Sequence, residues 1–234
     1  MSLEKFGGID LGQIFGFRAS SFIQSFYIWQ PLTYAFLHGG TFHLLFNLLV
    51  FYMMAGDLEA FWGPRSFYKF CAATAVAGPL LQVLLWIGAY LINPEWINSE
   101  LFIRPTIGAS GMVFGILAAY GMLYGEASIL VFFVVPMKMR VFVISLAVYE
   151  MGMGLFSASG EVAHIFHLGG MLAGYLMIKY KGPGLRGGGG GGGFRLFGKS
   201  KMNQQELRKR LKVISNELPK KNENGDRGLP ITWN

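Results

Sequence analysis

Gly108-Ala109-Ser110-Gly111 and His167-Leu168-Gly169-Gly170 place a serine and a histidine in two separate apolar segments. A hydroxyl and an imidazole within hydrogen-bonding reach are the minimum parts of a serine nucleophile and its general base. Polar side chains in lipid-buried helices are costly and mark functional positions. The pair therefore points to hydrolysis carried out inside a membrane. A second pair, His43 and Asn47, lies four residues apart and so on one helical face. An imidazole and a carboxamide there can donate to an oxyanion, and the backbone N–H of Ser110, at or near its helix start, can add a further bond.

A third triad member is not expected. The aspartates Asp10, Asp57 and Asp226 sit at the N-terminus, at a span end and in the tail. Glu161 lies at the lip of the last span, and no spacing places Glu150 at the imidazole. The economical reading is a Ser–His dyad with oxyanion donors carrying much of the electrostatic work. Each element alone admits a blander account. A serine in a membrane helix can bond back to its own backbone, and His43 and Asn47 can bond to neighbouring helices. His38 and His164 read as structural or loop residues, although His164, one turn from His167, competes with it on spacing alone.

The elements that carry these residues follow from composition. Of 234 residues 53% are hydrophobic and only 14% charged, against about a quarter charged in soluble domains, so the chain reads as an all-α polytopic membrane protein. Its net charge of +7 is not a nucleic-acid signal, because residues 194–234 hold ten Lys or Arg against four acids. A basic tail beside membrane spans marks the cytoplasmic side, where it meets anionic lipid. Cys71 is the single cysteine, which excludes an intrachain disulfide; no metal-ligand spacing is visible and no cofactor is expected.

A bilayer core of about 30 Å requires roughly twenty apolar helical residues. Segments of that kind predict five spans near 41–56, 66–92, 108–124, 140–156 and 162–180. Arg65 and Lys69, Lys138 and Arg140, and Lys179, Lys181 and Arg186 mark the cytoplasmic connections; the 93–106 and 157–161 connections face outward. Ser110 and His167 then enter from the same outer side to depths of about 5–10 Å, within reach of a shallow aqueous cavity. Gly111 and Gly115, and Gly170 and Gly174, are four apart, a spacing that lets helix backbones approach in lipid. At 100° per residue Gly170 and Gly174 fall on the same face as His167.

Residues 1–40 form an N-terminal interfacial or loop segment, in which the Ile14–Leu37 stretch rests in the outer interface on Phe22, Phe26, Tyr27 and Trp29. Residues 41–182 are the membrane domain. A glycine-rich linker follows at 183–193, then the basic, largely disordered tail 194–234, with a short basic helix predicted over 204–213.

His38-Gly39-Gly40 with His43 to Asn47, then Gly56, Leu58-Glu59 and Gly63, then Gly108 to Gly111, then Ala163-His164 with His167 to Gly170 and Gly174 together resemble the rhomboid intramembrane serine protease family. The order and spacing match over about residues 28–180. The resemblance implies a helical bundle with Ser110 as nucleophile, His167 as general base, His43 and Asn47 in the oxyanion hole, and a single-span membrane protein cleaved near the outer end of its helix. A substrate helix with breakers there is expected, since the scissile carbonyl must be freed from its intrahelical bond. Three departures stand out. Where the family has a further span, residues 10–40 offer only the amphipathic stretch, so either the start is truncated or there are five spans. Trp29-Gln30 stands where Trp-Arg is common. Phe114 stands where a tyrosine often supports the imidazole, and it can stack on the ring without a hydroxyl.

The resulting expectation is an intramembrane serine endopeptidase in a bacterial inner membrane, since no organelle presequence is visible, with its site open to the outer side and its C-terminus cytoplasmic. The competing reading is a catalytically silent rhomboid-like protein that binds membrane helices. A transporter is disfavoured because no chain of ionisable residues crosses the membrane.

Overall fold

The computed structural model describes residues 5–6, 9–131, 134–156 and 162–181. The 157–161 connection with Glu161, the glycine-rich linker and the basic tail lie outside these residues. Two small hairpins, β1 (Lys5–Phe6) with β2 (Ile9–Asp10) and β3 (Ser128–Val131) with β4 (Val135–Lys138), are antiparallel; the rest is mainly helical.

Three short helices, α1 (Leu11–Phe15), α2 (Ala19–Gln24) and α3 (Gln30–Thr33), precede two long ones, α4 (Thr41–Trp62) and α5 (Pro64–Ile92). Both long helices are apolar enough to cross a membrane by length and composition. At 1.5 Å per residue, α4 with 22 residues and α5 with 29 span about 33 and 43 Å. Helix α4 runs past its expected end at 56. Gly63 stops it with φ of 78°, a value side-chain-bearing residues resist, and Pro64 starts α5 at once. Phe42, Leu45, Phe46, Leu49, Tyr52 and Met53 are exposed along α4. So large an apolar surface is suited to lipid.

The 93–106 connection contains a 3-10 turn (Pro94–Asn98) and a short helix, α6 (Glu100–Ile103). It is tied back to α5 by the buried Gln82, whose Nε2 donates to the Leu101 carbonyl at 2.6 Å. Then follow α7 (Ser110–Leu123), a shorter apolar helix, α8 (Met139–Phe156) and α9 (Ala163–Lys181).

Helix α7 is central. It packs most extensively on α9, and also against α4, α5 and α8. Its residues Val113, Ile116, Leu117 and Ala119 form a core with Met54, Leu58, Phe67 and Phe70 of the long helices. Small residues set the α7–α9 distance. A Cβ on Gly170 would stand 1.8 Å from the Gly111 carbonyl oxygen, and one on Gly174 would stand 2.5 Å from that of Gly115. Both glycine pairs read from the sequence thus face one another. On the far side of α9, Gly169 meets the backbone of Gly78 on α5 in the same way, at 2.8 Å, so α9 is wedged between two helices.

The N-terminal segment, expected to rest in the outer interface, also packs inward onto the long helices. Phe17 and Tyr34 are fully buried and pack edge-on against Phe166 of α9, and Phe22 packs onto the same cluster. Phe26 and Trp29 are exposed, as anchors at an interface are. Gly16 ends α1 and Pro31 lies in the first turn of α3, and the short helices fold over α5 and α9. Burying Phe17 and Tyr34 in that way is worth several kcal/mol, which a single surface-lying helix would forgo.

Candidate active site

The approach to Ser110 is fixed by the N-terminal segment. Phe17 and Thr106 exchange backbone hydrogen bonds, each at 2.9 Å, and the Gly108 N–H donates to the Tyr34 carbonyl at 2.9 Å. Tyr34 is anchored in turn by its hydroxyl, which donates to the Ala75 carbonyl at 2.6 Å. Gly108 has φ of 127°, and a Cβ there would lie 2.8 Å from Cε1 of His43. Only glycine fits that bend, which turns the chain directly into α7. Ser110 is therefore the first helical residue, and a helix beginning there leaves its leading N–H groups without intrahelical acceptors.

His167 comes from the second turn of α9. Its Nε2 lies 2.8 Å from Ser110 Oγ, and its ring lies parallel to that of Phe114, with centroids 4.0 Å apart and planes 3° apart. Phe114 is one turn beyond Ser110, so one helix carries both the hydroxyl and the platform for the imidazole. The other ring nitrogen, Nδ1, lies 2.9 Å from Oε2 of Glu150 on α8. The same oxygen bonds Nδ1 of His164 at 2.5 Å.

The expectation that no acid reaches the imidazole is thus corrected. Glu150 and His167 are 17 residues apart on different helices, and where α8 crosses α9 is not written in either helix's own periodicity. A signal did exist: Glu150 is the single acid within α8, and a carboxylate in such a helix requires a partner. His164, expected to be structural or a competitor for the base, is turned from Ser110 toward the acid. Its ring stands edge-on to that of His167 at 6.2 Å. Glu150 and His164 are nearly enclosed, with 5% and 8% of their side chains exposed, and His167 is at 15%. Their ligand atoms lie within 4.8 Å of one another, the grouping among the described residues with spacing for a metal ion; both Nδ1 atoms of this group are engaged with the Glu150 carboxylate.

His43 and Asn47, on the first turns of α4, face α7 from the opposite side. His43 lies against Gly108 and lines a cavity of about 320 Å³ with Gly12, Gly39, Arg104, Thr106 and Ala163. That volume admits several water molecules beside the site. Asn47 is buried, and among the described residues its Nδ2 has no hydrogen-bond partner. It borders a smaller cavity of about 230 Å³ with His38, Leu44, Ala109 and Met112. A buried amide left unpaired costs about 1–3 kcal/mol, so the fold tolerates a donor that none of the described residues accepts from.

His38, just ahead of α4, is more than a loop residue. Its Nε2 accepts from the Ala109 N–H at 3.4 Å, and its ring stands edge-on to His43 at 5.1 Å. Burial, and then the neighbouring His43, hold its pKa below the ordinary histidine value, against a raising hydrogen bond with the Phe36 backbone. The neutral ring is the form able to accept the amide proton. Sequence reasoning missed this contact, as it missed Tyr34, because both join segments some seventy residues apart.

The Rhomboid domain model matches residues 25–183. The mitochondrial rhomboid protein 1 of Saccharomyces cerevisiae is 33% identical over 144 residues, covering 61% of this chain and 38% of that protein. The putative rhomboid protease YdcA of Bacillus subtilis is 27% identical over 159 residues, covering 65% of this chain and 69% of that protein. Rhomboid protease GluP of the same organism is also 27% identical, over 161 residues covering 69% of this chain and 27% of GluP. The chain therefore spans about two fifths of the length of the yeast protein and less of GluP. No solved structure matches it.

Proposed function

The chain belongs to the rhomboid family of membrane proteins, and from that premise we propose that it is an intramembrane serine endopeptidase acting at Ser110. The observation that carries the proposal is the 2.8 Å contact between Ser110 Oγ and His167 Nε2, with the imidazole held flat on Phe114. His167 takes the Ser110 proton as the oxygen attacks a peptide carbonyl, so the Oγ–C bond forms and the carbonyl electrons move onto oxygen. The backbone N–H of Ser110 and the side chains of His43 and Asn47 receive that oxyanion. Loss of one such donor costs about 3–4 kcal/mol of transition-state stabilisation. His167 then gives its proton to the leaving amine, and water from the cavity beside His43 hydrolyses the acyl-enzyme.

The substrate is a single-span membrane protein cut near the outer end of its helix, where a Gly or Pro loosens the hydrogen bonds around the scissile carbonyl. In this reading α4, α5, α7, α8 and α9 are five membrane-crossing helices, and 41–182 is the membrane domain between the interfacial segment 1–40 and the linker and basic tail. Arg65, Lys69, Lys138, Arg140 and Lys179 face the cytoplasm. A bacterial inner membrane, with the site on its outer side, is the proposed setting.

The test is cleavage of a single-span substrate by purified protein in liposomes. The wild type is expected to cut and Ser110→Ala not to cut. Equal cutting by both would refute the mechanism, and binding of the substrate helix without cutting by the wild type would assign the chain to silent helix binders.

A further inference from the structure

A carboxylate buried among apolar helices is costly unless it is paired. Glu150 is paired twice, at one oxygen, by Nδ1 of His164 and Nδ1 of His167. The proton positions follow from donor arithmetic. An ionised carboxylate only accepts, so both Nδ1 atoms carry the hydrogens in these bonds. In a neutral imidazole the other nitrogen is then an acceptor, and for His167 that is Nε2, 2.8 Å from the Ser110 hydroxyl. The acid selects the one tautomer of His167 that can receive a proton from serine.

We propose that Glu150 is a positioning residue that completes a Ser110–His167–Glu150 relay, with His164 holding the carboxylate in place. This rests on the assignment of Ser110 and His167 as nucleophile and base. In the acylation step the Ser110 proton moves to His167 Nε2 while Oγ bonds to the substrate carbon. The imidazolium so formed keeps its Nδ1 proton, and Glu150 stays a carboxylate. The step creates one positive ring and one oxyanion. The negative oxygen against Nδ1 stabilises the first as His43, Asn47 and the Ser110 amide stabilise the second. Three helices each supply one member: α7 the serine, α9 the histidine, α8 the acid. Alignment of the relay therefore depends on how α8 sits against α9.

The experiment uses the full chain in liposomes with a single-span substrate, comparing wild type, Glu150→Gln and Glu150→Asp. In Glu150→Gln the amide can meet either tautomer of His167; kcat is expected to fall by about 10²-fold or more with KM little changed. Glu150→Asp keeps the charge and is expected to recover part of that loss. Isotope-labelled histidine, read by nitrogen chemical shifts, is expected to show His167 protonated at Nδ1 in the wild type and shifted toward Nε2 in Glu150→Gln. The proposal is overturned if Glu150→Gln retains kcat within about threefold while Ser110→Ala is inert. It is also overturned if both Glu150 variants lose activity and thermal stability in parallel with the His167 tautomer unmoved, which would make the acid a structural brace. Cleavage by Ser110→Ala at the wild-type rate would instead remove the underlying protease assignment.

Discussion

Gly170 approaches Gly111 so closely that a single added methyl on the first would penetrate the carbonyl oxygen of the second, at 1.8 Å. The two residues lie on α9 and α7, beside His167 and Ser110 in turn. The same contact that joins the helices brings the imidazole to the hydroxyl.

Gly170→Ala is accordingly expected to force α7 and α9 apart, lowering stability by about 3 kcal/mol and abolishing cleavage. Gly174→Ala, with a gap of 2.5 Å to the Gly115 oxygen, acts in the same direction. Gly56→Ala on α4 is the control, since nothing lies within 4 Å of its added Cβ, and it should raise stability by up to about 1 kcal/mol through helix propensity. Thermal unfolding in detergent distinguishes the three.

The Phe114 ring lies parallel to His167 and supplies an apolar platform. Stacking of this kind is worth about 0.5–1.5 kcal/mol, so Phe114→Ala should slow acylation by roughly 2–10-fold. Phe114→Tyr, which keeps the ring, should stay near the wild-type rate. The labelling rate of Ser110 by a serine-directed phosphonate measures both.

Asn47 keeps a buried Nδ2 that nothing described in the protein accepts. Replacing it with leucine should therefore raise stability, by about 1–3 kcal/mol if the cavity is filled without strain, while kcat falls by about 10²–10³-fold. His43→Ala should lower kcat similarly. A stability gain joined to an activity loss is the mark of a donor kept for an oxyanion; unchanged kcat in Asn47→Leu would remove Asn47 from that role.

His38 supplies a pH test. Its pKa is lower in the folded protein than its ordinary 6.5, so the unfolded chain takes up a proton at higher pH than the folded one. The sign follows: this histidine's contribution to stability is full above 6.5 and is lost as pH falls below it toward the lower folded value. Protonation also ends acceptance from the Ala109 N–H. The melting temperature should decline through that window, and His38→Gln, which keeps an acceptor but does not titrate, should decline less. Equal slopes for the two proteins would exclude His38 as the source.

Much of this architecture is local and therefore legible in the chain. Apolar runs placed the helical segments α4, α5, α7, α8 and α9, and periodicity placed Gly170 and Gly174 on the face of His167. The order of the motifs pointed to the rhomboid family. The ends of helices were less legible: α4 continues through Gly56, since one glycine costs a helix of 22 residues only about 1 kcal/mol, and it stops at Gly63, where φ turns positive.

What only the tertiary structure decided are relations between elements. The crossing of α8 and α9 puts Glu150 against His167. Folding of residues 11–36 over α5 and α9 buries Phe17 and Tyr34 and aims the turn at Gly108. Seventy-one residues separate His38 from the Ala109 amide it accepts from. Helical periodicity states which residues share a face, but not which neighbour that face meets or at what height. Those are fixed by the close packing of three or more helices at once, a property that no single segment of the sequence contains.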